Sequence, residues 1–150
     1  MNDLQDLYRE VILDHNRTPR NFGELEDANR VVEGVNPLCG DRITLYVKID
    51  GDTVEDISFT GTGCAISVAS SSLMTERVRG ISRQDNLNLF NKVHDMLTAN
   101  DYDSRKADDL EKLAALSGVR EYPTRIKCAS LAWHALKNAL TDSSDNVSTE

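Results

Sequence analysis

The chain has 150 residues, a formal net charge of −8 and a sequence pI of about 4.8. This length predicts one domain, and the acidic balance argues against nucleic acid as the main partner, because binding to phosphates needs clustered Lys and Arg. The start of the chain lacks a basic and apolar leader, and no apolar run approaches the ~20 residues of a membrane span. We therefore expect a cytoplasmic protein with no membrane partner.

The first half of the chain is predicted to form one helix and a small sheet. Apolar residues at helical spacing indicate an amphipathic helix over residues 3–16. Alternating apolar residues indicate three strands, at 30–33, 42–49 and 53–60. Asp50-Gly51 favours a tight hairpin turn, so we expect an antiparallel sheet with one face in water.

The second half is predicted to be mostly helical. Helical spacing indicates helices from Gly63 to Gly80, over 83–98, over 110–116 and from Cys128 to about residue 140. The charged stretch 101–109 is typical of a solvated connection, and 141–150 of a disordered polar tail. The expected fold is a single α+β domain over 1–140, with a small three-stranded antiparallel sheet and helices packed on one side.

The three cysteines fall at the junctions of these predicted elements. Cys39 is followed by Gly40 and Asp41, and side chains two residues apart in extended backbone point to the same side. We expect Cys64 and Cys128 each to begin a helix, where free N–H groups and the helix dipole stabilise a thiolate. The sequence therefore predicts that three thiols and one carboxylate converge.

Such a donor set fits a tetrahedral metal site. Thiolates and a carboxylate suit zinc, and iron–sulfur clusters use the same type of ligand. The predicted ligands are Cys39, Asp41, Cys64 and Cys128. In the alternative interpretation each cysteine is a small buried hydrophobic residue, since free Cys is often buried and no Cys-x-x-Cys spacing occurs.

The histidines are not expected to bind the metal. His15 ends the first helix, where a cation is favourable. His94 has no ligand partner at useful spacing, and His134 lies off the apolar stripe of its helix, so we expect it to be exposed.

The segments around the cysteines resemble the U-type family of iron–sulfur cluster assembly proteins, which includes IscU, NifU and SufU. The matching segments are NPLCGD (36–41), GTGCAIS (61–67) and KCA (127–129), with further likeness at 8–15 and 19–23. Lys127 stands where IscU-type members carry a histidine, the IscU chaperone-binding motif LPPVK is absent, and extra sequence precedes the third cysteine. The chain is therefore identified as a SufU-type member.

This resemblance implies a zinc-dependent sulfurtransferase. A SufS-like, pyridoxal-phosphate-dependent cysteine desulfurase would transfer persulfide sulfur to Cys39, for delivery to the cluster assembly machinery. The resemblance implies zinc ligation by Cys39, Asp41, Cys64 and Cys128. It also makes Arg125 and Lys127 candidates for partner docking or for local charge at the site.

Two other functions remain open. The protein could be a scaffold that assembles a [2Fe–2S] cluster on the same ligands, and would then be coloured and oxygen-sensitive. It could instead be a non-catalytic structural zinc domain that regulates a partner, in which case Cys39→Ala would harm folding alone. A sulfur acceptor is expected to lose its activity when Cys39 is alkylated.

Overall fold

The computed structural model describes residues 3–100, 102–141 and 146–149. It has an α+β fold, as the sequence predicts, built on a four-stranded mixed sheet of order β3-β2-β1-β4. The strands are β1 (Arg30–Asn36), β2 (Asp41–Asp50), β3 (Thr53–Thr62) and β4 (Val147–Ser148). The first three pair in antiparallel fashion, which confirms the predicted antiparallel sheet and the hairpin at Asp50-Gly51.

The central strand shows why one face of the sheet is covered. Along β2, buried side chains alternate with exposed or half-buried ones. The buried apolar side chains are Ile43, Leu45, Val47 and Ile49, and Asp41 is buried at the start of the same strand. Alternation with a period of two places these four on one face, where they pack in the main hydrophobic core.

The fourth strand is a difference from the predicted sheet. Val147–Ser148 lies parallel to β1, with Val147 opposite Gly34. A strand of two residues is too short to show the apolar alternation of a strand, so the sequence pattern predicts only the three longer strands. Within the stretch 141–150, predicted to be a disordered tail, residues 142–145 and 150 lie outside the described part of the chain.

In the described part of the chain, four α-helices and one 3₁₀ segment pack around the core. They are α1 (Asp3–Arg17), α2 (Ala65–Val78), α3 (Arg83–Thr98), the 3₁₀ segment (Ser104–Val119) and α4 (Pro123–Leu140). The 3₁₀ segment is broken at Glu111, where φ is 52°, and it covers most of the stretch predicted to be a connection and a short helix. None of the helices in the described ranges is long and apolar enough to cross a membrane.

Helix α4 begins earlier than the sequence pattern indicates. It starts at Pro123, whose fixed φ and missing N–H suit the first helical position. Cys128 therefore lies in the second turn of α4, and the prediction that it begins the helix is wrong. Its thiol is held by the side of a helix and not by the free N–H groups of a helix end.

Two buried hydrogen bonds fix α2 against α4. Ser70 Oγ donates to the carbonyl oxygen of Ala129 at 2.6 Å, and Trp133 Nε1 donates to the same hydroxyl at 3.1 Å. Trp133 is almost fully buried, so its N–H needs such a partner. These contacts hold the helix that follows Cys64 and the helix that contains Cys128 in one arrangement.

His15 lies in the core instead of acting as a surface cation. It is fully buried, and its Nδ1 lies 2.7 Å from Ser72 Oγ. Burial is the main cause that lowers the pKa of His15 below its usual value. The neutral imidazole is favoured, so the expectation of a charged helix end is wrong.

Candidate metal centre

Cys39 and Asp41 are positioned by the tight connection between β1 and β2. Asn36 and Asp41 are paired across the two strands, so only residues 37–40 form the loop. The N–H of Gly40 donates to the carbonyl oxygen of Asn36 at 2.9 Å and closes the turn. Gly40 has φ of 74°, a left-handed conformation that favours glycine. The turn brings the Cys39 thiol beside the Asp41 carboxylate.

Cys64 is the N-cap of α2, as the sequence predicts. Its backbone is extended, with φ of −71° and ψ of 166°, and its Sγ accepts the N–H of Ser67 at 3.5 Å. A sulfur at this position lies at the positive end of the helix dipole, which favours negative charge there.

The Asp41 carboxylate links the sheet to the start of α2. Its Oδ1 accepts the backbone N–H of Cys64 at 2.8 Å. A Cβ at Gly63 would lie 2.5 Å from the same oxygen, so the loop before Cys64 can approach the carboxylate only with glycine at this position. The remaining oxygen, Oδ2, lies 3.9 Å from Cys64 Sγ.

The four candidate ligands lie next to one another at one end of the sheet. The ligand atoms of Cys39, Asp41 and Cys128 all lie within 4.8 Å of one another. Cys64 is not part of that three-residue group, but its Sγ lies 3.9 Å from Asp41 Oδ2. The structure thus brings together the four residues that the sequence singles out, and their assignment as metal ligands stays a prediction.

The three thiols differ in their access to solvent. Cys39 is exposed, Cys64 is half-buried and Cys128 is buried. Burial raises the pKa of the Cys128 thiol, and hydrogen bonds with Asp41, Cys39 and Cys64 raise it further. A raised pKa favours the neutral thiol. A bound divalent cation would favour the thiolate instead, since a coordinating thiol is deprotonated outright. The donor set, soft sulfur with one hard oxygen, fits zinc.

Asn36 belongs to the site although the sequence pattern does not single it out. It is fully buried, and its Nδ2 donates to Asp41 Oδ2 at 3.3 Å and to Cys128 Sγ at 3.4 Å. Its Oδ1 is buried without a hydrogen-bond partner. Its sequence signal is its place as the first residue of the 36–41 segment that resembles the family, just before the hairpin loop that carries Cys39.

Arg125 and Lys127 lie in the first turns of α4, close in sequence to Cys128. Arg125 is exposed and Lys127 is half-buried. An exposed guanidinium at this position is available to a docking protein. The predicted roles of both residues in docking or local charge stay predictions.

Comparison with known proteins identifies the family. The family described as NifU-like N terminal domain matches residues 7–148. The zinc-dependent sulfurtransferase SufU of Bacillus subtilis (strain 168) is 46% identical over 138 residues, covering 92% of this chain and 92% of that protein. The iron–sulfur cluster assembly scaffold protein IscU of Streptococcus pyogenes serotype M1 is 42% identical over 145 residues, covering 97% of this chain and 89% of that protein.

A solved structure agrees with these sequence matches. The crystal structure of FiSufU from Fervidobacterium islandicum AW-1 superposes with a TM-score of 0.80 at 37% sequence identity, covering 87% of this chain and 94% of that one. The resemblance seen in the cysteine motifs is confirmed. The chain belongs to the NifU-like N-terminal domain family, which includes the SufU and IscU proteins of iron–sulfur cluster assembly.

Proposed function

We propose that this protein is a zinc-dependent sulfur acceptor that takes persulfide sulfur from a cysteine desulfurase and passes it to the cluster assembly machinery. The observation that carries the proposal is a cluster of three thiols and one carboxylate in which one thiol, Cys39, is exposed. The 46% identity to a zinc-dependent sulfurtransferase supports the same function. We assign the protein to the cytoplasm, where reducing conditions keep such thiols free of disulfides.

The candidate zinc ligands would be Cys39, Asp41, Cys64 and Cys128. Bound zinc would supply the positive charge that keeps the thiols deprotonated at neutral pH. Within the chain, Asp41 accepts the Cys64 N–H at the start of α2 through one oxygen and lies 3.9 Å from Cys64 Sγ through the other. These four residues would provide all the ligands of a tetrahedral zinc site before any partner docks.

Cys39 is the proposed reacting residue, since its thiol is exposed. In the transfer step its thiolate attacks the terminal sulfur of the desulfurase persulfide, and a new S–S bond forms at Cys39 Sγ. The S–S bond within the desulfurase persulfide breaks, and the desulfurase cysteine leaves as a thiolate. One S–S bond forms as one breaks, and the negative charge passes from Cys39 to the leaving thiolate, so the step needs no external oxidant or reductant. Cys128 cannot serve in this role because only 2% of its surface is exposed.

The desulfurase we propose is a pyridoxal-phosphate enzyme of the SufS type, because such an enzyme generates the persulfide that this step consumes. Its persulfide must reach Cys39, the exposed thiol of the 37–40 loop. Arg125 is exposed at the start of α4 and is a candidate contact. Lys127 is the second candidate for docking or for charge at the site.

The experiment that tests the function is sulfur transfer from a desulfurase to the full chain, followed by intact-protein mass spectrometry. We expect wild-type protein to gain one sulfur atom at Cys39 and Cys39→Ser to gain none. Transfer to Cys39→Ser at the wild-type rate would contradict the proposal.

A second candidate function is a scaffold for an iron–sulfur cluster. The 42% identity to an IscU scaffold protein favours it, since the same four ligands would serve. Anaerobic purification distinguishes the two functions, because a scaffold carries iron and sulfide and is coloured. A colourless zinc protein that fails to accept sulfur would instead support a structural zinc domain.

A further inference from the structure

The side chain of Asn36 occupies an unusual place in the candidate metal centre. It is fully buried, and its amide nitrogen contacts two of the candidate ligands, Asp41 and Cys128. These ligands come from different parts of the chain, since Asn36 and Cys128 are 92 positions apart. One amide group therefore bridges the hairpin and helix α4.

We propose that Asn36 is a positioning residue of the metal site, which orients Asp41 Oδ2 and Cys128 Sγ by donating one N–H to each. This inference rests on the proposed zinc site and adds a residue outside the ligand set. Such neighbours fix the direction of a ligand's lone pairs and the charge on its donor atom.

The orientation of the amide matches the needs of a metal-bound site. An asparagine amide offers two N–H donors on one end and only an acceptor oxygen on the other. When a metal is bound, the carboxylate and the thiolate are both hydrogen-bond acceptors. The nitrogen end satisfies both, whereas a flipped amide would place its oxygen against two acceptors.

The unpartnered oxygen of Asn36 supports the same role. Its Oδ1 is buried without a hydrogen-bond partner, and leaving a buried acceptor unpaired is destabilising. An apolar side chain of similar shape would avoid this cost. The backbone of Asn36 pairs with Asp41 and accepts the Gly40 N–H whatever the side chain is, so folding of the hairpin does not require the amide.

The chain offers a matched control in Asn86. Asn86 is also fully buried, its Nδ2 also donates two hydrogen bonds, and its Oδ1 is also unpartnered. Its two acceptors are the carbonyl oxygens of Val78 and Ile81, at and just beyond the end of helix α2. Asn86 thus has the same burial and bonding but supports a helix end instead of the candidate ligands.

The test uses the full chain and the variants Asn36→Leu and Asn86→Leu. Zinc affinity is measured by competition with a chelator, and the site is also filled with Co²⁺ to record its sulfur-to-metal charge-transfer and d–d bands. We expect Asn36→Leu to weaken zinc binding about 10–100-fold and to shift the cobalt bands. Asn86→Leu should lower the melting temperature and leave both metal measurements as in wild type.

The outcomes separate the inference from the function on which it rests. Wild-type zinc affinity and cobalt bands in folded Asn36→Leu would overturn the role of Asn36 and leave the zinc site standing. Wild-type protein that binds neither zinc nor Co²⁺ would overturn the proposed function itself. If Asn36→Leu does not fold, Asn36→Ala provides the same comparison without added bulk, and the same shift is expected.

Discussion

The side-chain amide of Asn36 lies 3.3 Å from the carboxylate of Asp41, its partner across strands β1 and β2. The same carboxylate accepts the N–H of Cys64 through its other oxygen. Asp41 is therefore held from both sides, by a strand and by a helix start. A carboxylate fixed in this way loses little conformational entropy when it binds a metal, which is the basis of a preorganised site.

Gly63→Ala is predicted to weaken metal binding. A Cβ at this position would lie 2.5 Å from Asp41 Oδ1, so the carboxylate or the loop must move. We expect zinc affinity to fall about 10–100-fold, as when a hydrogen bond to a metal-ligating residue is removed. Gly118→Ala is the control, because a Cβ there meets no atom within 4 Å. Equal zinc affinity in the two variants would contradict the predicted role of Gly63.

The three thiols are predicted to react with an alkylating agent in order of their exposure. In metal-free protein Cys39 should be modified first, Cys64 more slowly and Cys128 last, because Cys128 is buried and its pKa is raised. Peptide mass spectrometry over a time course measures the order. Added zinc should slow all three reactions, and faster modification of Cys128 than of Cys39 would show that the burial order is wrong.

Removal of zinc is predicted to lower the melting temperature without unfolding the protein at room temperature. The core packs against the sheet independently of the site, unlike the core of a small zinc finger. At free zinc about 1,000 times Kd, binding stabilises the fold by about 4 kcal/mol. In a domain of this size, that corresponds to a shift of about 8–16 °C. An unchanged melting temperature on adding a chelator would contradict the presence of the site.

Protonation of His15 is predicted to destabilise the fold as the pH falls. Burial lowers the pKa of His15; Arg20 and Lys112 lower it further, while Glu76 and Asp14 oppose the shift. The unfolded chain therefore binds the proton more readily, and stability is lost below the unfolded pKa of about 6.5. His15→Gln should show a smaller loss of melting temperature between about pH 7.5 and about pH 5.5.

The control for this prediction is His134→Gln. The pKa of His134 is lowered as well, mainly by burial, but its ring packs against Phe90 and His94, away from His15. Each variant should reduce the pH dependence of the melting temperature by its own amount, independently of the other. A pH dependence in His15→Gln identical to that of wild type would rule out His15 as a contributor.

Local features of this fold are predictable from the sequence. Helix α3 has the predicted bounds, and the alternation along β2 gives its buried face, because both follow from a periodic pattern within one element. The glycine-rich approach to Cys64 predicts a helix start there, and Cys64 is the N-cap of α2. The cysteine motifs are also enough to indicate the family, because each lies within a few consecutive residues.

Features that depend on tertiary contacts are not predictable in this way. The sequence pattern does not predict the start of α4 at Pro123, because the first turn of this helix is exposed and carries no apolar stripe. The burial of His15 depends on Ser72, which is 57 positions away. The contact of Asn36 with Cys128 likewise joins a strand end to a distant helix. No pattern within one element encodes such pairs.

The central claim is that the three thiols and Asp41 form a zinc site, and elemental analysis of gently purified protein tests it most directly. A visible spectrum recorded on the same sample shows whether iron and sulfide are present. We expect about one zinc per chain and no colour, as for a single tetrahedral site. Iron with sulfide absorption would contradict it in favour of a cluster scaffold, and protein with neither metal would contradict the metal site altogether.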